Sequence, residues 1–95
     1  MDAVLRNVLA GTRGGSNRVR ILQALDRQPR NANQLATELA LDYKTIRHHL
    51  DVMVDNGVLT VSGDEYGAVY HPTDRTRKHW ETVQDIVDDG EGREN

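Results

Sequence analysis

Two apolar stripes separated by a two-residue interruption constrain this chain more than any other feature. Leu35, Ala36 and Leu39 recur at helical spacing in a run of about two turns that starts at Asn33. Ile46, Leu50, Met53 and, at the margin, Val54 do the same in a longer run over 42–56. Only Leu41 and Asp42 interrupt the pattern between them. So short a connection predicts two helices that cross closely around a tight turn. Ala36 is small where they touch, and Leu35, Leu39, Leu41, Ile46 and Leu50 fill the wedge. Asp42 is placed to cap the second helix, because its carboxylate can accept the free amides of the first turn, and Gly57 supplies the stop. That helix has a core side and a free side, and Lys44, His48, Asp51 and Asp55 fall on the free one.

The flanking segments give this pair its setting. Val4, Leu5, Val8 and Leu9 gather into one stripe over 2–10, too short to stand alone as a helix. The glycine-rich run from Gly11 to Gly15 breaks it, and Ser16 or Asn17 offers a cap for a helix from Asn17 to Arg27. Ile21, Leu22 and Leu25 take its inner side, leaving Arg18, Arg20 and Arg27 to water, and Pro29 ends it. Residues 30–32 are a candidate short strand, and Asn33 is the expected cap of the next helix. Beyond Gly57 the period changes. Val58–Val61 and Ala68–His71 are strand-forming runs about a turn over 62–67, which is a hairpin signature. Pro72 closes the second strand. Thr73 or Asp74 then caps a last helix with Trp80, Val83, Ile86 and Val87 on one side, and the acidic tail is expected to fray from Asp88 and to be disordered over 90–95.

Length and composition bound what such a chain can do. Its 95 residues suit one domain, and with no Phe and a single Trp the core must rest on Leu, Val, Ile and Ala. A core that thin invites a partner subunit. The absence of Cys removes disulfides, thiolate metal sites and Cys nucleophiles. Residues 1–10 carry Asp2 and Arg6 within a short apolar stretch, unlike a signal peptide or a membrane span, so the expected compartment is the cytoplasm. No glycine loop with phosphate-binding spacing and no Ser, His and carboxylate grouping is legible, so an enzyme with a small-molecule substrate is not expected. The formal charge of −3 hides a gradient: residues 1–50 hold eight Lys and Arg against four acids, and residues 51–95 hold four against eleven. Ten of the twelve basic residues are Arg and acids are scattered over loops and tail, a balance similar to that of proteins from salt-accumulating halophilic archaea, although a GC-rich genome with an ordinary acidic tail gives the same picture.

The element order is mainly α with a small β-hairpin: a three-helix core plus wing, with extra helices at each end. It resembles the winged helix-turn-helix of ArsR-type transcriptional regulators. The residues that carry the resemblance are Ser16-Asn17-Arg18-Val19-Arg20-Ile21-Leu22, Gln34-Leu35-Ala36-Thr37-Glu38-Leu39, Thr45-Ile46-Arg47-His48-His49-Leu50, Asn56-Gly57-Val58-Leu59 and Ala68-Val69-Tyr70. Ala40 stands where many such motifs carry Gly. The implied organisation is an N-terminal helix and linker over 1–15, a DNA-binding winged helix over 16–73 and a C-terminal dimerisation helix over 74–89.

The resemblance implies double-stranded DNA as partner, with residues 42–56 in the major groove and the helix N-terminus near phosphates and base edges. Lys44, Thr45, Arg47 and His48 become the reading residues, with Lys44 and Arg47 suited to guanine O6 and N7. Tyr43 is expected to hold a phosphate, and Tyr66 is the candidate contact from a wing tip whose Asp64 and Glu65 repel DNA. His49 lies at the edge of the apolar face, where a packed structural role is expected. The terminal stripes, Val4, Leu5, Val8 and Leu9 with Trp80, Val83, Ile86 and Val87, are the expected homodimer interface, the other reading being that they complete the monomer's core. In the resembling family, metal sensors use Cys pairs or paired His and acidic residues on the last helix. Here the latter reduce to His79 with Glu81 or Asp85, and adjacent His48 and His49 diverge by about 100°, so no metal or other cofactor is expected. The rival reading is a winged helix that binds protein within a larger transcription assembly, which the acidic wing and negative total charge favour.

Overall fold

A computed structural model describes residues 1–11, 14–63 and 67–93. The elements run α1 (Asp2–Leu9), α2 (Gly15–Arg27), α3 (Ala32–Leu39), α4 (Tyr43–Asp55), β1 (Leu59–Ser62), β2 (Val69–Pro72), α5 (Asp74–Lys78) and α6 (Trp80–Arg93). The class is the expected one, mainly α with one hairpin. β1 and β2 pair antiparallel with Leu59 opposite Pro72 and Ser62 opposite Val69. Arg30 adds an isolated bridge to Tyr70, N–H to carbonyl in both directions, so the predicted strand over 30–32 is reduced to one rung.

One core joins nearly every element. Leu5 of α1, Ile21, Leu22 and Leu25 of α2, Leu35 of α3 and Ile46, Leu50 and Met53 of α4 are all fully buried, with Val58 beneath the hairpin and Val83 from α6. The short turn between α3 and α4 works as the spacing predicts. Ala40 ends α3 in the left-handed region at φ 56, the conformation that favours glycine, and Leu41 N–H reaches back to the Ala36 carbonyl at 3.0 Å. Asp42 then caps α4, its Oδ2 accepting from Lys44 N–H at 2.9 Å and from Thr45 N–H at 3.4 Å. Gly57 follows α4 at φ 72.

Several local expectations are corrected. The cap of α3 is Asn31, not Asn33. Asn31 accepts from Gln34 N–H at 2.8 Å while the Gln34 side chain accepts from Asn31 N–H at 2.8 Å, a reciprocal pair that Asn33 has no Glu or Gln three residues ahead to make. α2 starts at Gly15, with Gly14 as its cap at φ 87, so Ser16 and Asn17 already lie inside the first turn. Arg18 does not face water. It stands four residues before Leu22 and seven before Leu25, on their side of the helix, and is 6% exposed. The last helix is two, because α5 stops at His79 and α6 starts at Trp80. Thr73 rather than Asp74 caps α5, accepting from Thr76 N–H at 3.2 Å. α6 runs to Arg93, and positions 94–95 of the tail expected to be disordered lie outside the described residues.

The terminal stripes serve this chain first. α1 packs on α6, and Leu5, Val8, Leu9, Val83 and Ile86 are buried within the chain's own core. Val4, Trp80 and Val87 keep partial exposure. A polar clasp ties the same two helices: the Asp2 carboxylate accepts from Thr82 Oγ1 at 2.9 Å and meets His79 Nδ1 at 2.7 Å. Both bonds favour its charged form, the Thr82 bond most, and hold Asp2 below the usual carboxylate range.

Two substitutions test the turn. Ala40→Gly relieves the left-handed strain and should stabilise by about 0.5–1 kcal/mol, raising the thermal midpoint by roughly 2–8 °C. Asp42→Ala removes the cap of α4 and should destabilise by about 1 kcal/mol in denaturant titration, whereas Asp42→Asn keeps most of that stability.

Candidate nucleic-acid interface

The outer face of α4 carries the residues singled out from sequence, and the helix divides them between two sides. Tyr43, Arg47 and Asp51 stand four apart and share one side. Arg47 NH1 donates to Tyr43 Oη at 3.3 Å, and its NH2 lies 4.0 Å from Asp51 Oδ1. The Tyr43 bond above all, then the nearby Tyr70, Tyr43 and Asp51, raises the Arg47 pKa further above its already high value. Tyr43 and Arg47 line a cleft of about 110 Å³ with Asn31, Ala32 and Asn33 from the start of α3 and Ala68 and Tyr70 from the hairpin. This side brings together α4, the α3 N-terminus and the base of the hairpin.

Lys44, Thr45 and His48 occupy the other side. They line an open cleft of about 490 Å³ with Gly14, Arg18 and His49, next to the start of α2. Lys44 and His48 are exposed and Thr45 is half-buried. Tyr43 is 42% exposed, and its hydroxyl accepts from Arg47. Tyr66, with Asp64 and Glu65, lies outside the described residues.

His49 is packed as expected, but its partner was missed. Arg18 Nε donates to His49 Nδ1 at 3.1 Å, and Arg18 NH1 donates to the Val8 carbonyl at 3.2 Å. Burial first, then the charges of Arg18 and His48, push the His49 pKa below its usual value. The helical position of Arg18 relative to Leu22 and Leu25 was the available signal. Asn31 and Asn33 were also missed as neighbours of Arg47, because their place depends on where α3 begins. His79 pairs with Asp2 of α1 rather than with Glu81 or Asp85. Among the described residues no group of three or more His, Asp or Glu gathers where it could hold a metal ion.

Comparisons with known proteins agree with this architecture. Residues 15–61 match the family model for the bacterial regulatory protein, arsR family. No curated protein matches the chain. Among solved structures, the homodimeric winged helix-turn-helix DNA-binding domain Mb0332 from Mycobacterium bovis is similar with a TM-score of 0.74 at 19% identity, covering 93% of this chain and 79% of that one. The transcriptional regulator HlyU from Vibrio vulnificus gives 0.69 at 21% identity, covering 90% and 79%. An ArsR-like transcriptional regulator from Rhodococcus gives 0.68 at 23% identity, covering 96% and 81%. At these identities the likeness is one of fold. Residues 15–61 thus match an ArsR-type helix-turn-helix model, and the described fold around them is similar to that of winged helix-turn-helix proteins.

Proposed function

We propose that this chain is a sequence-specific DNA-binding transcriptional regulator that works as a homodimer and reads the major groove with α4. The observation that carries the reading is the two-sidedness of that helix. Ile46, Leu50 and Met53 are fully buried, while Lys44, Arg47 and His48 stand exposed at its N-terminal half. Arg47 and Lys44 donate to guanine O6 and N7, Thr45 and His48 contact neighbouring edges or phosphates, and Tyr43 holds a phosphate while steadying Arg47. Tyr66 remains the proposed contact from the wing.

Dimerisation uses what the terminal helices leave over. Val4, Trp80 and Val87 form the contact surface, backed by Leu5, Val8, Leu9, Val83 and Ile86, which are already engaged in the core. The homodimeric state of the Mb0332 domain supports this arrangement. A twofold assembly sets the two copies of α4 about 34 Å apart, one turn of DNA.

The Arg-rich, acid-scattered composition suits the cytoplasm of a salt-accumulating halophilic archaeon. In that solvent, release of counterions contributes little, so base contacts and shape fit carry the specificity. The logarithm of affinity should then fall with the logarithm of salt less steeply than about −0.9 per phosphate for the six or more phosphates an ordinary basic regulator contacts. A steep decline from 0.1 M to 1 M salt would refute this.

Selection from a random duplex library tests the main reading. The wild-type protein should enrich a twofold-symmetric site, and Arg47→Ala should lose about 1–3 kcal/mol of discrimination at the base pair it reads, roughly tenfold to a hundredfold. Lys44→Ala should weaken binding, and discrimination left intact in Arg47→Ala would remove Arg47 from the reading set.

A further inference from the structure

We infer that the Arg18–His49 hydrogen bond is a proton-sensitive lock that positions the reading helix, so that protonating His49 releases α4 from α1 and α2 and lowers DNA affinity. The DNA part of this inference rests on the function proposed above, whereas the lock itself does not.

The geometry leaves His49 one role. A guanidinium has only donors and keeps its protons throughout the accessible pH range, so His49 Nδ1, 3.1 Å from Arg18 Nε, must be an acceptor. The imidazole is therefore neutral with its proton on Nε2. The same guanidinium donates through NH1 to the Val8 carbonyl, so one side chain of α2 holds the last turn of α1 and the middle of α4 together. Both partners are 6% exposed, and water does not screen them as it does a surface pair. Gly14 leaves room for the ring: a Cβ there would lie 2.8 Å from His49 Cε1, so the seat of the imidazole against the start of α2 requires glycine.

Adding a proton to Nδ1 turns the acceptor into a donor and sets two cations 3.1 Å apart. The bond cannot survive that change. Among the described residues, the charged groups acting on His49 are Arg18 from α2 and His48 from α4, and both oppose its protonation. Lys44 of α4 and Gly14 before α2 line the same cleft, and the Val8 carbonyl of α1 accepts from Arg18. His49 lies two residues from Arg47 and one turn from Thr45, so a shift of α4 at this point moves the groove-facing residues directly.

The sign of the pH dependence follows. His49 titrates below 6.5 in the folded chain, so the unfolded chain takes up its proton first. This contribution to stability is whole above pH 6.5 and declines from there down through the folded pKa. His48 stands exposed on α4 and takes no part in the bond to Arg18. The two histidines are thus separable by substitution. His49→Asn keeps an acceptor where Nδ1 stands and removes the titrating group.

Ring-nitrogen NMR on the free wild-type protein tests the lock without any DNA. It should show the Nε2–H tautomer at pH 7.5 and protonation below pH 6.5, with amides of α4 and of residues near Val8 and Arg18 shifting along the same curve. A His49 titration that leaves those amides unmoved, or a ring already protonated at pH 7.5, overturns the lock. For the regulatory consequence, the tightest duplex selected at pH 7.5 is bound by wild type and His49→Asn from pH 7.5 to 5.5. The ratio of their affinities should fall by up to about tenfold per pH unit below the His49 pKa. A ratio flat with pH overturns the coupling to DNA. Binding of no duplex by either protein overturns the function proposed above and leaves the NMR result to decide the lock.

Discussion

Burial of one side of α4 governs the rest of the molecule. Ile46, Leu50 and Met53 sink completely into the seam made by Leu35 of α3 and Ile21, Leu22 and Leu25 of α2. Each such side chain contributes roughly 1.5–3 kcal/mol by leaving water, so rotating α4 by one residue, about 100°, would forfeit most of that and is excluded. With the inner side fixed, the outward direction of Lys44, Arg47 and His48 is fixed too. The outward face of α4 is thus a consequence of packing on its inner one.

Polar side chains then join the elements that the thin core joins weakly. Arg30 is the clearest instance. Its guanidinium donates to the Ala24 and Gln28 carbonyls at the end of α2 and pairs with Glu38 of α3 at 2.6 Å, while its backbone bridges Tyr70 of β2. One residue thus relates the wing to the helix pair, which is why Tyr70 and Ala68 come to line the cleft beside Arg47. Among the described residues no buried side-chain nitrogen or oxygen lacks a partner, as the cost of burying an unsatisfied polar group requires.

The element order was legible because it rests on period and punctuation: two helical stripes, a two-residue interruption, Gly57, then two strand-forming runs about a turn. The position of α4 and its Asp42 cap could be read to the residue, since a carboxylate just before an apolar stripe has few other local uses. The start of α3 was not legible from its stripe alone, because Leu35, Ala36 and Leu39 fix a face but not a first residue. The spacing Asn31 to Gln34 was the discriminating signal. Arg18 was misread because its residue type outweighed its position, on the same side of the helix as Leu22 and Leu25. His79, where the helix breaks, meets Asp2 from nearly the whole chain away, a contact that no local pattern anticipates. At the interface, Tyr43, Lys44, Thr45, Arg47 and His48 all lie on α4 outside its buried seam, but their division into two sides depends on what packs beside them, which a helix pattern does not contain.

The terminal helices show how a small core and a partner surface share the same residues. A chain with no Phe has too little apolar volume in its central three helices to leave α1 and α6 outside, so their stripes are drawn in and only Val4, Trp80 and Val87 keep exposure. A second copy docking there would press on helices already continuous with the core. α1 is held to α6 by Asp2, His79 and Thr82 at one end, and at the other its Val8 carbonyl meets Arg18, which meets His49 on α4. Force applied at the terminal helices therefore has a hydrogen-bonded route to α4. The route passes through one guanidinium, so its stiffness depends on whether His49 remains an acceptor.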